Sequence, residues 1–246
     1  MSKIISYQRP ENLEEALSLL SLDNHVPLAG GTLLNANEDM EPLHLVDLQS
    51  LALKGIDNSN GKLKIGAMTT LHEIMKNSDC PDSIRLSSRS ELPSTLRTLA
   101  TIGGTIASCD SDSQLIASLL VHDAAVTILN SDGELSVPLQ EVLSEPERLE
   151  SELILSIDVA TDGEFILEST GRTPTDKPIV AVATRHCSDG YRMAITGVAA
   201  TPVLVDPENP TASLQPSSDF RGNSEYRMHL AKTLASRTLN LLNGEK

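Results

Sequence analysis

Residues 96–112, LRTLATIGGTIASCDSD, place a Gly-Gly-Thr between two apolar runs, and PLAGGTLL at residues 27–34 repeats this arrangement. Paired glycines accept positive φ angles and let a ligand approach the main chain closely. Consecutive N–H groups in such turns bind anions without a positively charged side chain. Each segment alone is consistent with an ordinary tight turn. Their likeness to each other favours two parts of one phosphate-binding site.

Neither glycine segment matches a common nucleotide-binding fingerprint. The chain contains no GxGxxG after a predicted strand and no GxxxxGK[ST]. These are the patterns of dinucleotide-binding Rossmann domains and of P-loops. The sequence therefore disfavours both folds.

The charge and cysteine content limit the possible partners and cofactors. The 246 residues include 34 Asp and Glu against 19 Lys and Arg, a formal net charge of −15. This balance argues against binding to nucleic acid or to an anionic membrane. The three cysteines form no CxxC pair, so neither a zinc site nor an iron–sulfur cluster is predicted, and no metal ligand is assigned. Without a signal peptide or a long apolar run, we expect a cytoplasmic protein that does not insert into membranes.

Hydrophobic periodicity and turn residues predict an α+β chain in three parts. Residues 1–55 are expected to form a small β–α–β subdomain that ends in a parallel strand at His44 to Asp47. Residues 56–161 form a second subdomain with short helices around the second glycine segment. Residues 162–246 form a module of antiparallel strands covered by one helix from Ser224. The three predicted strands of this module are residues 164–170, 178–186 and 190–205.

Three polar residues are predicted to cap helices. Asn12 with Glu15 resembles a capping box, and Thr70 precedes a short apolar run. Asp112 precedes the apolar face of a helix that begins near Leu115. It is therefore predicted as the N-cap of that helix.

Seven segments follow one another in a characteristic order along nearly the whole chain. They are AGGTLL at 29–34, LVDLQSL at 45–51, IGAMTTLHEI at 65–74, RTLATIGGTIA at 97–107, LLVHDAAV at 119–126, GRTPTDKPIVAVA at 171–183 and EYRMHLAKTLASR at 225–237. In this order they resemble the FAD-binding (medium) subunits of molybdenum hydroxylases, the group that includes carbon monoxide dehydrogenase and xanthine dehydrogenase. The combination is specific although each glycine pair is a weak signal.

This resemblance implies a two-subdomain, PCMH-type FAD-binding domain over residues 1–161, followed by the carboxy-terminal domain of these flavoproteins over residues 162–246. It implies that the main-chain N–H groups of both glycine segments hold the FAD pyrophosphate. An acidic residue, either Asp110 or Asp112, is implied to contact the ribityl or adenosine part. The implied cofactor-binding residues are Ala29, Gly30, Gly31, Thr32, Leu33, Leu34, Thr101, Ile102, Gly103, Gly104, Thr105, Asp112, Ile154 and Lys177.

The resemblance also implies an oxidoreductase subunit in a hetero-oligomer. It would pass electrons from iron–sulfur clusters on a small partner subunit through FAD to an external acceptor, NAD or a quinone. A large partner subunit would carry the molybdenum cofactor. Because the flavin performs the redox step, no catalytic residue is assigned to this chain. Two alternatives stay open, a cofactor-free structural subunit of the same complex and a stand-alone flavin oxidoreductase.

Overall fold

A computed structural model describes residues 4–34, 42–59, 62–150, 152–171, 173 and 176–244. In these residues the strands form three sheets, of three, five and four strands. Helices pack on all three, which confirms the predicted α+β class. None of the helices within the described ranges combines the length and apolarity that a membrane span needs.

The amino-terminal sheet is a parallel β–α–β unit. Its elements are β1 (Ile4–Gln8), α1 (Leu13–Leu20), β2 (His25–Leu28) and β3 (Leu43–Asp47). Strand β3 lies between β1 and β2 and pairs in parallel with both, as predicted for this segment. The side chain of Asn12 accepts a hydrogen bond from Glu15 N at 2.9 Å, so the predicted cap of α1 is confirmed. Strand β2 leads directly into the first glycine segment.

The second sheet is antiparallel, with strand order β4-β5-β8-β6-β7. Its strands are β4 (Ile56–Ser59), β5 (Lys62–Gly66), β6 (Ala125–Asn130), β7 (Gly133–Pro138) and β8 (Leu153–Ala160). The helices of this part are α2 (Leu71–Lys76), α3 (Asp82–Glu91), α4 (Ser94–Arg97), α5 (Ile102–Ala107), α6 (Gln114–Val121) and α7 (Leu139–Ser144). The predicted cap of α2 is confirmed, because Thr70 and Glu73 form a complete capping box.

The third sheet, with order β12-β11-β10-β9, is antiparallel and has four strands where three were predicted. Its elements are β9 (Glu164–Thr170), β10 (Val180–Cys187), β11 (Gly190–Thr196), β12 (Val203–Val205) and the covering helix α8 (Ser224–Leu242). The predicted strand 190–205 is interrupted at Gly197, which has φ +72° and donates its N–H to Ser111 O at 2.8 Å. The chain then returns as a separate edge strand. The predicted start of α8 at Ser224 is confirmed.

Helix α6 joins the second and third sheets. All eight of its residues are buried, and it packs against β10 and β11. A helix that is buried on every side belongs in a protein core. The carboxy-terminal module therefore shares a hydrophobic core with the glycine-rich part of the chain, because Ala183 and Ala194 pack into the same cluster as Leu119.

The buried side chain of His122 at the end of α6 is held in its neutral form. Its Nδ1 lies 2.8 Å from Ala160 O, and its Nε2 lies 2.8 Å from Ser83 Oγ. Because a carbonyl oxygen only accepts, Nδ1 donates to Ala160 and Nε2 accepts from the Ser83 hydroxyl. Burial lowers the pKa of His122 from 6.5 to about 4.

This shift predicts acid destabilisation that depends on His122. The folded-state pKa lies below the unfolded value, so the stabilisation is fully present above pH 6.5 and is lost as the pH falls toward 4. The free energy of unfolding is expected to fall by about 3 kcal/mol over this pH range. Urea unfolding of the wild type and of His122→Asn, measured between pH 7.5 and pH 4, checks it. The variant should be less stable at neutral pH but lose less stability on acidification. If the free energy of unfolding depended on pH in the same way in both proteins, the prediction would be wrong, because His122 would then take up no proton on unfolding.

Candidate functional site

A cavity of about 600 Å³ lies where the two glycine segments meet. Its walls are the loop after β2, the carboxyl ends of α3 and α4, and one side of α5 with the turn that follows it. The predicted residues that line it are Ala29, Gly30, Gly31, Thr32, Leu33, Leu34, Thr101, Gly104, Thr105 and Lys177. A volume of this size is typical of sites for small organic ligands.

Residues 29–34 of the first glycine segment line this cavity. Within the described part of the chain, no N–H group of residues 29–34 donates a hydrogen bond to another main-chain or side-chain acceptor. Gly31 has φ +66°, the left-handed region that favours glycine. Polar groups half-buried in a cleft require acceptors, and no described residue accepts from these N–H groups.

Gly30 is required by packing. A Cβ at this position would lie 2.0 Å from the carbonyl oxygen of Leu99. The loop after β2 therefore rests directly on the main chain that leads into α5. This contact brings the two glycine segments together across about 70 residues of sequence.

The sequence predicts a loop with free N–H groups for the second glycine segment as well, but the structure shows the start of a helix. This helix is α5, and Thr101 is its N-cap. All four N–H groups have protein acceptors: Ile102 donates to Thr69 O at 3.0 Å, Gly103 to Ala67 O at 2.9 Å, Gly104 to Thr101 Oγ1 at 3.1 Å and Thr105 to Thr101 O at 2.9 Å. The Thr105 hydroxyl also donates to Thr101 O, at 3.1 Å. This segment therefore shapes the cavity wall rather than supplying free amides.

The glycine at position 103 has a packing role. Its missing Cβ would lie 2.9 Å from both Cβ and O of Ala67, so only glycine lets α5 approach the end of β5. Ile102 and Gly103 are both buried and lie behind the cavity wall rather than on it. Ile154 is likewise a core residue, 7% exposed on β8, and is not a lining residue.

The structure separates the two candidate acidic residues. Asp110 lines the cavity and forms an ion pair with Lys177. Asp112 is buried beside it but turns to Arg221, whose Nη1 lies 2.7 Å from Asp112 Oδ2. The predicted N-cap at Asp112 is wrong. Ser113 caps α6, because its hydroxyl accepts from Ile116 N at 3.0 Å.

The Asp110–Lys177 pair crosses from the turn after α5 to the segment before β10. Burial alone would raise the pKa of Asp110, but the hydrogen bonds from Lys177 and from Asp112 N hold that pKa below its ordinary value. Asp110 is therefore an anion that accepts hydrogen bonds at neutral pH. The positive charge of Lys177 is largely balanced by this carboxylate.

Glu91 is a cavity residue that sequence reasoning missed. It ends α3, lines the cavity and accepts a hydrogen bond from Leu115 N at 3.0 Å through Oε2. Burial raises the pKa of Glu91, against hydrogen bonds from Ser113 and Leu115 that lower it. Nothing local in the sequence points to this role, since the partner residue lies 24 positions along the chain. Apolar wall residues were missed for the same reason, namely Leu92, Leu96 and Leu149.

Comparison with known proteins agrees with the sequence resemblance and with this architecture. The chain is 28% identical to the Escherichia coli uncharacterized protein YgfM, covering 95% of this chain and 94% of that protein. It is 27% identical to the glyceraldehyde dehydrogenase medium chain of Sulfolobus acidocaldarius, covering 93% and 95%. A carbon monoxide dehydrogenase structure from Hydrogenophaga pseudoflava superposes with a TM-score of 0.87 at 22% identity, covering 96% of both chains. This last likeness concerns the fold alone.

Residues 3–161 match the family model described as the FAD binding domain in molybdopterin dehydrogenase. The matched part contains both glycine segments and, with the exception of Lys177, every residue that lines the cavity. The resemblance inferred from the sequence is thereby confirmed. The chain belongs to the family of FAD-binding domains of molybdopterin dehydrogenases, which makes it an FAD-binding oxidoreductase subunit.

Proposed function

We propose that the cavity between the glycine segments holds FAD, and that the N–H groups of residues 29–34 bind its pyrophosphate. The observation that carries this proposal is that residues 29–34 line the cavity and that their main-chain N–H groups have no acceptor among the described residues. A pyrophosphate is an anion with several acceptor oxygens, and such main-chain concavities bind anions well. The chain thus compensates for its net charge of −15 with oriented dipoles.

The other cavity residues fit the remaining parts of the cofactor. Asp110 is an ionised, half-buried acceptor suited to ribityl or ribose hydroxyl groups. Leu92, Leu96 and Leu149 supply apolar walls that exclude water from an aromatic ring system. The bound flavin supplies the redox chemistry, while these residues bind and orient it. Of the predicted residues, four do not line the cavity, namely Ile102, Gly103, Asp112 and Ile154.

The subunit is further proposed to work inside a cytoplasmic hetero-oligomer. One relative is named a medium chain, which implies other chains in its complex. By the family resemblance, a small iron–sulfur subunit delivers electrons to the flavin, and a large subunit with the molybdenum cofactor oxidises the substrate. The flavin then reduces an external acceptor, NAD or a quinone. No acid, base or nucleophile is required from this chain for that transfer.

Calorimetric titration of the purified chain with FAD, ADP and riboflavin tests the cofactor site. We expect one FAD per chain, competition by ADP, and riboflavin binding at least about 100-fold weaker, because riboflavin has no pyrophosphate for the loop at residues 29–34. Equal affinity for riboflavin and FAD would contradict the assignment of that loop. An absence of FAD binding, both alone and in the assembled complex, would favour the cofactor-free structural subunit.

A further inference from the structure

A second cavity, of about 580 Å³, is lined by residues of α2, α3 and α4. We call it the basic groove and define it by its five charged residues, Lys76, Asp82, Arg85, Arg89 and Arg97. Four of them are basic and one is acidic, whereas the chain as a whole carries 34 acidic against 19 basic residues. Positive charge gathered in one concave site of an acidic protein directs anions to that site.

Two of the arginines in the basic groove are held by hydrogen bonds to the main chain. Arg97 Nη1 donates to the carbonyl oxygens of Arg89 at 2.7 Å and Leu92 at 2.5 Å. Arg85 Nε donates to Met75 O at 3.2 Å. A carbonyl oxygen fixes a guanidinium without cancelling its charge. Because these two side chains are already ordered, they lose less conformational entropy when they bind a ligand.

Other donors of the basic groove have no acceptor in the described part of the chain. Asp82 pairs with Arg85 Nη1 at 2.7 Å, which uses the one carboxylate of the groove. The Nη2 atoms of Arg85 and Arg97 donate to no described residue. Lys76 and Arg89 are exposed, and neither forms an ion pair with a described residue. The groove therefore has unused N–H donors and an excess of three positive charges.

The charge and size of the basic groove indicate the class of anion that fits it. Guanidinium groups bind phosphate oxygens with paired N–H donors. Two linked phosphate groups carry about three negative charges at neutral pH, which matches the excess, whereas a carboxylate carries one. The volume is in the range of sites for small organic ligands. Met75 and Leu86 complete the lining and add an apolar surface for the organic part of such a ligand.

We propose that the basic groove binds a small organic molecule that carries a pyrophosphate group, such as a nucleoside diphosphate. The groove and the flavin cavity are separate sites on the two sides of α4, because Leu96 lines the cavity and Arg97 lines the groove. The donors also differ, since the groove supplies charged side chains and the cavity supplies the main chain of residues 29–34. None of the residues that line the groove lines the cavity except across this helix, so the inference goes beyond the proposed function and does not depend on it.

Calorimetric titration of the full chain, saturated with FAD, tests the groove with two probes, inorganic pyrophosphate and ADP. The bound FAD keeps both probes out of the flavin cavity. The variant Lys76→Gln/Arg89→Gln removes the two exposed charges of the groove. Its control, Lys62→Gln/Lys232→Gln, makes the same change in net charge at two exposed lysines on β5 and α8. Circular dichroism checks the folding of both variants.

We expect the wild type and the control to bind one molecule of either probe per chain, and the groove variant to bind both at least about tenfold more weakly. Equal affinity in the groove variant would overturn the proposal, and so would a wild type that binds neither probe at low salt. Binding of pyrophosphate without binding of ADP would also overturn it, because the groove would then accept inorganic anions only.

Failure of the proposed function is distinguishable from failure of this inference. If the chain binds no FAD, the proposed function fails, but the same titrations of the FAD-free chain still decide the groove. A loss of affinity confined to the groove variant would assign the probe to the groove.

Discussion

Replacing Gly30 by alanine is expected to lower FAD affinity by about 100-fold. The new Cβ would lie 2.0 Å from Leu99 O, so the loop after β2 must move away from the chain that leads into α5. Overpacking of this kind costs about 1–3 kcal/mol and displaces the main chain. The displacement turns the N–H groups of residues 29–34 away from a common acceptor. FAD titration followed by calorimetry or by the visible flavin spectrum measures the loss.

The control for this variant is Gly133→Ala. Gly133 begins β7 directly after the β6–β7 turn, at a positive φ of +120°, and an added Cβ there meets nothing within 4 Å. It carries the backbone strain of an alanine at such a φ without touching the cavity. We expect lower stability and unchanged FAD affinity. Unchanged FAD affinity in Gly30→Ala would show that the loop after β2 does not hold the cofactor.

Replacing Arg185 by methionine is expected to lower the free energy of unfolding by about 2–4 kcal/mol. This side chain is 2% exposed on β10. It donates to Val121 O at 2.9 Å, to Asp162 O at 2.8 Å and to Asp162 Oδ1 at 2.6 Å. Methionine fills most of the volume but leaves these acceptors without a donor. The two carboxylates that pair with Arg185 are partly exposed and can rehydrate, which limits the loss.

Urea unfolding measures this loss, with the slope of the unfolding free energy against urea concentration held equal for wild type and variant. Arg237→Met is the matched control, because Arg237 forms an ion pair with Glu168 at 3.2 Å but is 57% exposed. An exposed pair contributes at most about 1 kcal/mol. Equal losses in the two variants would show that Arg185 does not join the carboxy-terminal sheet to α6.

Local sequence patterns were sufficient to predict several elements of the fold. Asn12 and Thr70 cap the predicted helices, and α8 begins at the predicted Ser224. A cap is decided by residues three positions apart, so the sequence contains all the information that it requires. The parallel strand at 43–47 was likewise predictable, because an apolar run after a strand and a helix completes a β–α–β unit.

Patterns at Asp112 and at residues 190–205 were misleading because distant contacts override them. Asp112 is a residue type that often caps helices, but its carboxylate pairs with Arg221, more than 100 positions away. The interruption of strand 190–205 depends on a hydrogen bond from Gly197 N to Ser111 O. Neither partner is visible in the local sequence.

The sequence by itself determined the family, the cofactor class and the two glycine segments on which the site is built. Only the tertiary structure decided what each segment does. The N–H groups of residues 102–105 donate to protein acceptors, among them the carbonyl oxygens of Thr69 and Ala67. The N–H groups of residues 29–34 have no acceptor among the described residues. The physical reason is that a hydrogen-bond donor becomes available to a ligand only when folding places no protein acceptor against it. That condition depends on the surrounding chain and not on the Gly-Gly-Thr pattern that both segments share.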